Sequence, residues 1–322
     1  QLLENFTGTL NSFMQHKNFD IYVTGSNSRF LSSDIATEFK GRGSVVRVLP
    51  LSFSEYCAGL QVRADEAWKD YIRTGGIPLV AMMKTEDERV SYLKNLCEET
   101  YLKDIIQHNG VRKQSELSET FAMLASMIGS PVNALKLANT FKSVAKKNVT
   151  DDTIASFIGF FTDAFLVSKA EKYSIKGKKY ISSPFKLYFE DVGVRNALLN
   201  FRQIEEPHLM ENILYIDLLR RGLDADVGVV EYNTKDDSGK KIRKQLEVDF
   251  VVNRGSSRYY IQSALSISDP QKKEQEIASL TRIPDSFSKI VVVKDYLKPC
   301  YDDNGILYIG IEQFLLDENI LK

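Results

Sequence analysis

From Glu66 to about Gly129 the sequence carries helical periodicity throughout, broken once at Thr74-Gly75-Gly76-Ile77-Pro78 and again at Asn109-Gly110. This all-helical middle separates two regions of different character. Upstream, apolar residues at Leu2, Leu3, Phe6, Leu10, Phe13 and Met14 predict a helix over residues 2–16. Ile21-Tyr22-Val23 then reads as a short strand stopped by Thr24-Gly25-Ser26-Asn27-Ser28. A helix from Phe30 to Phe39, Gly41-Arg42-Gly43 and a second strand, Val45–Val48, follow, and Ser52 or Ser54 is placed to cap the next helix. Strands alternating with helices predict a parallel sheet. At about 100–200 residues per domain, 322 residues make two or three domains.

Downstream of the helices, residues 130–172 read as short helices, with Thr150, Asp151 and Asp152 as N-terminal residues of one of them. A hairpin turning at Lys176-Gly177-Lys178 comes next, and helix, turn, helix and hairpin together predict a winged helix-turn-helix. The last third holds a helix from Met210 to Arg221 ended by Gly222, then strands at Val227–Tyr232, Leu246–Asn253 and Arg258–Ser263. A helix around Lys272–Leu280 and a strand at Lys289–Val293 complete a mixed α/β unit, and the polar stretch Thr234–Lys244 reads as a loop between two strands.

Hydrophobic residues make up 43% and charged residues 26%, which excludes disordered, fibrous and small disulfide-bonded classes. Lys+Arg 42 against Asp+Glu 43 gives a net charge of −1, so no global field draws the chain to nucleic acid or anionic lipid, although a local basic patch remains open. Cys57, Cys97 and Cys300 are scattered and odd in number, which points to a reducing compartment and a cytoplasmic location. His16, His108 and His208 are equally dispersed, so no metal site is expected. No apolar run reaches the roughly 20 residues of a membrane span, and no membrane partner is expected. The opening Gln1-Leu2-Leu3-Glu4 reads as the middle of a helix, and the chain is expected to be truncated there.

Four places are candidates for chemistry. Asn27 lies beyond the carboxyl end of a strand, where ligands of open α/β sheets bind, and an asparagine there can orient a water or phosphate oxygen; the plain reading is a strand-to-helix turn. Arg42, between two glycines, either reaches a nucleotide phosphate across a subunit boundary or is an ordinary turn arginine. No Gly-x-x-x-x-Gly-Lys-Ser/Thr occurs, so these residues hold no P-loop.

The third place is an array of Glu211 on a helix, Glu247 and Asp249 on one face of a strand, and Gln262 on the next strand. Two acids and a lysine so arranged would hold Mg²⁺ and activate water, but Gln262 is neutral and Ala264 stands where a lysine would help. The array is therefore a degenerate site or a set of rim acids that are solvated or paired with nearby Arg or Lys such as Arg254 or Arg258. The fourth is basic: Lys142, Lys146 and Lys147 near the helices, and Lys176, Lys178 and Lys179 on the wing. These suit DNA phosphates, a protein partner, or plain solvation; the segment at the recognition position, Asp151–Phe157, is acidic and apolar.

In order and spacing, several motifs resemble a widespread prokaryotic family that joins an AAA-type ATPase domain to a C-terminal domain of unknown function with a nuclease-like core. They are Ile21–Ser28, Gly41-Arg42, Pro50–Glu55, Thr74–Pro78, Phe185–Gly193, Glu211-Asn212, Arg220–Gly222 and Glu247–Phe250. The resemblance implies an α/β multidomain chain. Residues 1–60 would be part of an AAA-type P-loop core, 61–129 a helical lid, 130–195 a winged helix-turn-helix, and 196–322 a restriction-endonuclease-like domain of the PD-(D/E)xK type. It further implies that Asn27 is the sensor asparagine and Arg42 the arginine finger, and that ATP and Mg²⁺ serve the intact protein while neither is expected on this chain. DNA and a homo-oligomer built through the ATPase domain are the implied partners. The function this implies is an ATP-driven switch responsive to DNA or a partner, with a nuclease-like domain that does not cut; the alternatives are a non-catalytic nucleic-acid-binding protein or a metal-dependent nuclease.

Overall fold

The structure, a computed structural model, describes residues 6–16, 18–23, 44, 46–235 and 239–321. Asn27 and Arg42, with the helix expected between them, lie outside the described residues. In chain order the elements begin with α1 (Phe6–Met14), α2 (Phe53–Leu60), α3 (Ala64–Thr74), α4 (Pro78–Ala81) and α5 (Glu86–Asn95). A π-helical segment, Leu96–Leu102, runs on into α6 (Lys103–Asn109), followed by α7 (Gln114–Ala125), α8 (Ala134–Ser143) and α9 (Asp151–Asp163). Then come β1 (Val167–Ser174), β2 (Lys179–Phe189), α10 (Val192–Leu198) and α11 (Glu206–Arg220). The chain ends with β3 (Ala225–Lys235), β4 (Lys241–Arg254), β5 (Ser257–Ala264), α12 (Pro270–Ile277), β6 (Ser288–Val293), β7 (Cys300–Tyr301), β8 (Ile306–Gly310) and α13 (Ile311–Leu316).

The helical middle forms as its periodicity predicts. In α3 the buried residues Ala67, Trp68, Tyr71 and Ile72 make one stripe. The break after it is Gly75, at φ 75°, and the break after α6 is Gly110, at φ 59°. Ser52 caps α2 in a full capping box with Glu55, and Thr150 caps α9 by accepting from the Thr153 amide.

The eight strands form one mixed sheet in the order β2-β1-β3-β4-β5-β6-β8-β7. This corrects the winged-helix expectation: the hairpin β1–β2 is not a free wing, because β1 pairs parallel with β3 through Lys172–Ser174 and Val227–Val229. A boundary at residue 195 would cut that sheet. β2 also runs seven residues past the expected end of the hairpin, to Phe189. Its pairing to β1 lapses around Pro184, which has no amide hydrogen to give, and Phe185 instead bridges Val132. β5, β6 and β8 are parallel, and β6 and β8 are apolar on both faces over Ile290–Val293 and Ile306–Ile309, as buried parallel strands are.

Two apolar cores lie against the sheet. The larger joins the helices to residues such as Phe250, Ile261 and Val292, and the smaller holds Val230, Val248, Tyr260 and Val291 under Leu280 and Ile283.

Two further expectations fail. Ile21–Val23 and Val46–Val48 are in neither strand nor helix; Tyr22 is 92% and Val48 88% exposed. A strand exists only by pairing, and no described backbone pairs with these segments. The stretch Thr234–Lys244 is mostly strand, because β3 and β4 pair as far as Lys235 and Lys241.

Candidate site at the acid and lysine cluster

The sheet brings Glu211, Glu247, Asp249 and Gln262 together. β4 carries an extra residue opposite β3, since Asp226 pairs with Val251 but Gly228 with Val248, and this bulge falls at Asp249-Phe250. Asp249 is buried, with its Oδ2 accepting the Ser263 amide at 2.8 Å, while the Asp249 amide points to Oε1 of Gln262 at 3.4 Å. Glu211 reaches the cluster from α11, which is pinned to the end of β2 by Asn212: its Oδ1 accepts the Phe189 amide at 2.8 Å and its Nδ2 donates to the Phe189 carbonyl at 2.7 Å. Tyr188 stacks on Tyr215, one turn further along α11.

At the centre is a lysine that motif spacing did not identify. Nζ of Lys186, on β2, lies 2.8 Å from Oε1 of Glu211 and 2.7 Å from Oε1 of Glu247, and its side chain is 2% exposed. Tyr188, two residues on and so on the same side of β2, donates its hydroxyl to Oε1 of Glu211 at 2.7 Å. Lys172 of β1 reaches Oε2 of Glu247 at 3.3 Å.

Burial works against the Lys186 ammonium, but Glu211, Asp249 and Glu247 outweigh it and hold the group charged above the ordinary lysine range. Burial, with the Glu211 charge, pushes the Asp249 carboxyl well up, and Lys186 only partly offsets this. Three carboxyls thus face two ammonium groups of the same chain.

Glu247 is paired with nearby cations, as expected, but these are Lys186 and Lys172 and not Arg254 or Arg258. Arg254 donates to the Leu321 carbonyl and Arg258 to Asn253. The signal for Lys186 was present in the sequence: a lone cation in the apolar run Phe185–Phe189 is costly unless paired. By chemistry the cluster does not suit a divalent cation, because Lys186 already engages one oxygen of Glu211 and one of Glu247. Among the described residues no group of three or more His, Cys, Asp or Glu side chains is arranged to hold a metal.

A second convergence lies where the N-terminal segment meets the rest. Arg220, at the end of α11, donates to Oε2 of Glu55 at 2.8 Å and to the Pro50 carbonyl. Arg47 pairs with Glu190 and also reaches the Ser168 hydroxyl at 3.1 Å. Asp191, fully enclosed, accepts the Gly76 amide on Oδ2 at 2.7 Å and the Val194 amide on Oδ1 at 3.1 Å. A Cβ on Gly75 would stand 2.1 Å from Oδ1 of Asp191, and one on Gly76 would stand 2.2 Å from the Leu51 carbonyl oxygen, so both positions need glycine. Burial pushes the Asp191 carboxyl up to about 6 against the pull of the surrounding amides.

Of the basic candidates, Lys142 and Lys146 are exposed near the end of α8, whereas Lys147 is held by Glu119 at 2.6 Å and Ser115 at 3.0 Å. Lys176, Lys178 and Lys179 are exposed at the β1–β2 turn, on a different element.

Two family models match successive parts of the chain. An AAA domain family matches residues 1–57, and a domain of unknown function, DUF8612, matches residues 65–205. The chain is similar to an uncharacterized protein of Haemophilus influenzae, 29% identical over 321 residues, which covers 98% of this chain and 76% of that protein. It is also similar to uncharacterized protein MJ1544 of Methanocaldococcus jannaschii, 25% identical over 269 residues, covering 80% of this chain and 58% of that protein. Among solved structures, protein VC1899 from Vibrio cholerae aligns over 96% of this chain and 69% of its own, at 12% identity and a TM-score of 0.24, too low to carry an argument. The protein is thus mixed α/β, and its first 57 residues are similar to an AAA domain family. No helix among the described residues is long and apolar enough to cross a membrane.

Proposed function

We propose that this chain is the transmitting part of an ATP-driven switch, in which the state of an AAA-type domain is passed to the mixed-sheet domain through the Arg220–Glu55 and Arg47–Glu190 contacts. The observation that carries the reading is that Arg47 and Glu55 both belong to the AAA-matched residues, while their partners Glu190 and Arg220 flank the sheet. A change in the N-terminal segment then bears directly on α11, the helix that supplies Glu211. In this reading ATP and Mg²⁺ are bound by the intact protein, Asn27 positions the attacking water, and Arg42 acts on a nucleotide held by a neighbouring subunit. The sheet domain responds without cutting nucleic acid, since the charge a metal would bring to Glu211, Glu247 and Asp249 is already supplied by Lys186 and Lys172.

The test is ATP turnover by the intact protein beside its Arg42→Ala variant. An arginine finger contributes roughly 10³–10⁵ in rate, so the variant should lose nearly all turnover. A variant within a few-fold of the parent removes Arg42 from the mechanism.

A further inference from the structure

The sheet narrows abruptly at one end. β1 stops beside Val229, and β5 pairs only with Phe250–Arg254 of β4. From Val230 to Lys235 and from Lys241 to Leu246, therefore, β3 and β4 are paired with each other alone. The result is a two-stranded ribbon that runs about 20 Å past its flanking strands, at roughly 3.4 Å per residue, with its base at Val230 still packed in the smaller core. Such a ribbon is marginal in water, and this one carries an added charge problem. Lys235 stands directly opposite Lys241, both exposed, and like charges in register repel.

Because β1 runs parallel to β3, the β1–β2 turn opens at the same end as the ribbon, with Lys176, Lys178 and Lys179 exposed. Residues 175–180 and 230–246 together contain eight cations against three acids, Glu231, Asp236 and Asp237, in a chain of net charge −1. Arg243 is steadied by Glu231, and Arg282 lies 4.7 Å over the ring of Tyr232, the residue opposite Lys244. The cations are thus gathered on a narrow projecting element, not spread over a solvated face.

We propose that the ribbon and the adjoining turn are a docking surface for B-form duplex DNA, the ribbon entering the major groove and the turn lysines resting on flanking phosphates. A major groove about 12 Å wide admits a two-stranded ribbon, and phosphates relieve the repulsion between Lys235 and Lys241. The A-form groove of duplex RNA is too deep and narrow for the same fit. The helical unit, by contrast, offers exposed Lys142 and Lys146 but begins α9 with exposed Asp151 and Asp152. This binding needs no nucleotide turnover, so it stands or falls apart from the switch.

The experiment is fluorescence anisotropy of the full chain with a labelled short DNA duplex, a duplex RNA of the same sequence and heparin, between about 50 and 200 mM salt. The DNA should bind with a Kd of about 10⁻⁴–10⁻⁶ M that weakens steeply with salt. The triple variant K235Q/K241Q/K244Q should lose about tenfold or more in affinity and lower the salt slope by about 2–3. The turn variant K176Q/K178Q/K179Q should weaken binding in the same direction, and K142Q/K146Q should bind like the parent. All these sites are exposed, and thermal melts followed by circular dichroism check that each variant folds. Four results would overturn the proposal: no DNA binding, ribbon and turn variants that bind like the parent, an equal loss in K142Q/K146Q, or RNA or heparin bound as tightly while the ribbon variant changes nothing.

Discussion

Lys186 is the residue on which the candidate site depends. An ammonium 2% exposed is tolerable only because Glu211 and Glu247 lie within 2.8 Å of it, and the buried Glu211 carboxylate is in turn tolerable because of the lysine. Removing one partner of such a pair leaves uncompensated buried charge. Lys186→Met is therefore expected to cost about 3–5 kcal/mol in urea unfolding. Adding Glu211→Gln should return part of that loss, a coupling that a double-mutant cycle measures directly. Strand periodicity places Glu247 and Asp249 on one side of β4 without any structure. It does not reveal that the cation comes from β2, about 60 residues upstream, because a lysine's partners are set by which strand becomes its neighbour.

At the scale of elements, the Thr74–Pro78 break and the Asp191 cap of α10 form a single joint. Asp191 accepts amides from both sides of it, and Gly75 and Gly76 make the room. The folded-state pKa of Asp191, about 6, is raised above the ordinary aspartate value of 3.8, so the folded protein holds that proton more tightly than the unfolded chain does. The stabilising contribution is thus fully present below about pH 4 and lost as pH rises through 6; above that, the ionised buried carboxylate costs on the order of 3 kcal/mol. Asp191→Asn removes the titration and turns an amide hydrogen toward a backbone N–H. The gap in Tm between parent and Asp191→Asn should therefore widen as pH falls from about 7.5 to about 5, as read by thermal melts. A gap that stays constant or narrows would show that Asp191 does not titrate as described. The helices around this joint were legible from apolar spacing and glycine breaks, whereas β7, β8 and the far half of β2 were not: β7 is two residues long, and past Pro184 β2 is held by Val132 at Phe185 and by renewed pairing with β1 from Lys186 to Phe189.

For the whole molecule, the expected outcome is that plasmid DNA incubated with the chain in Mg²⁺ or Mn²⁺ stays intact. Cleavage that disappears in an Asp249→Ala variant would make the acid cluster a working hydrolytic site. What the sequence determined by itself is local: an all-helical middle, the caps at Ser52 and Thr150, the strands from Val227 to Val293, and the absence of a phosphate-cradling P-loop motif. These depend on residues within a few positions of one another, where propensity and side-chain period act directly. Which strands became neighbours was decided only in three dimensions. β1 joined β3 and so took the hairpin into the sheet, β2 carried Lys186 to Glu211, and the ribbon beyond Val229 was left without a flanking strand. The physical reason is that strand pairing and the neutralisation of buried charge are contacts between distant parts of the chain, fixed by how the whole sheet closes over its two cores.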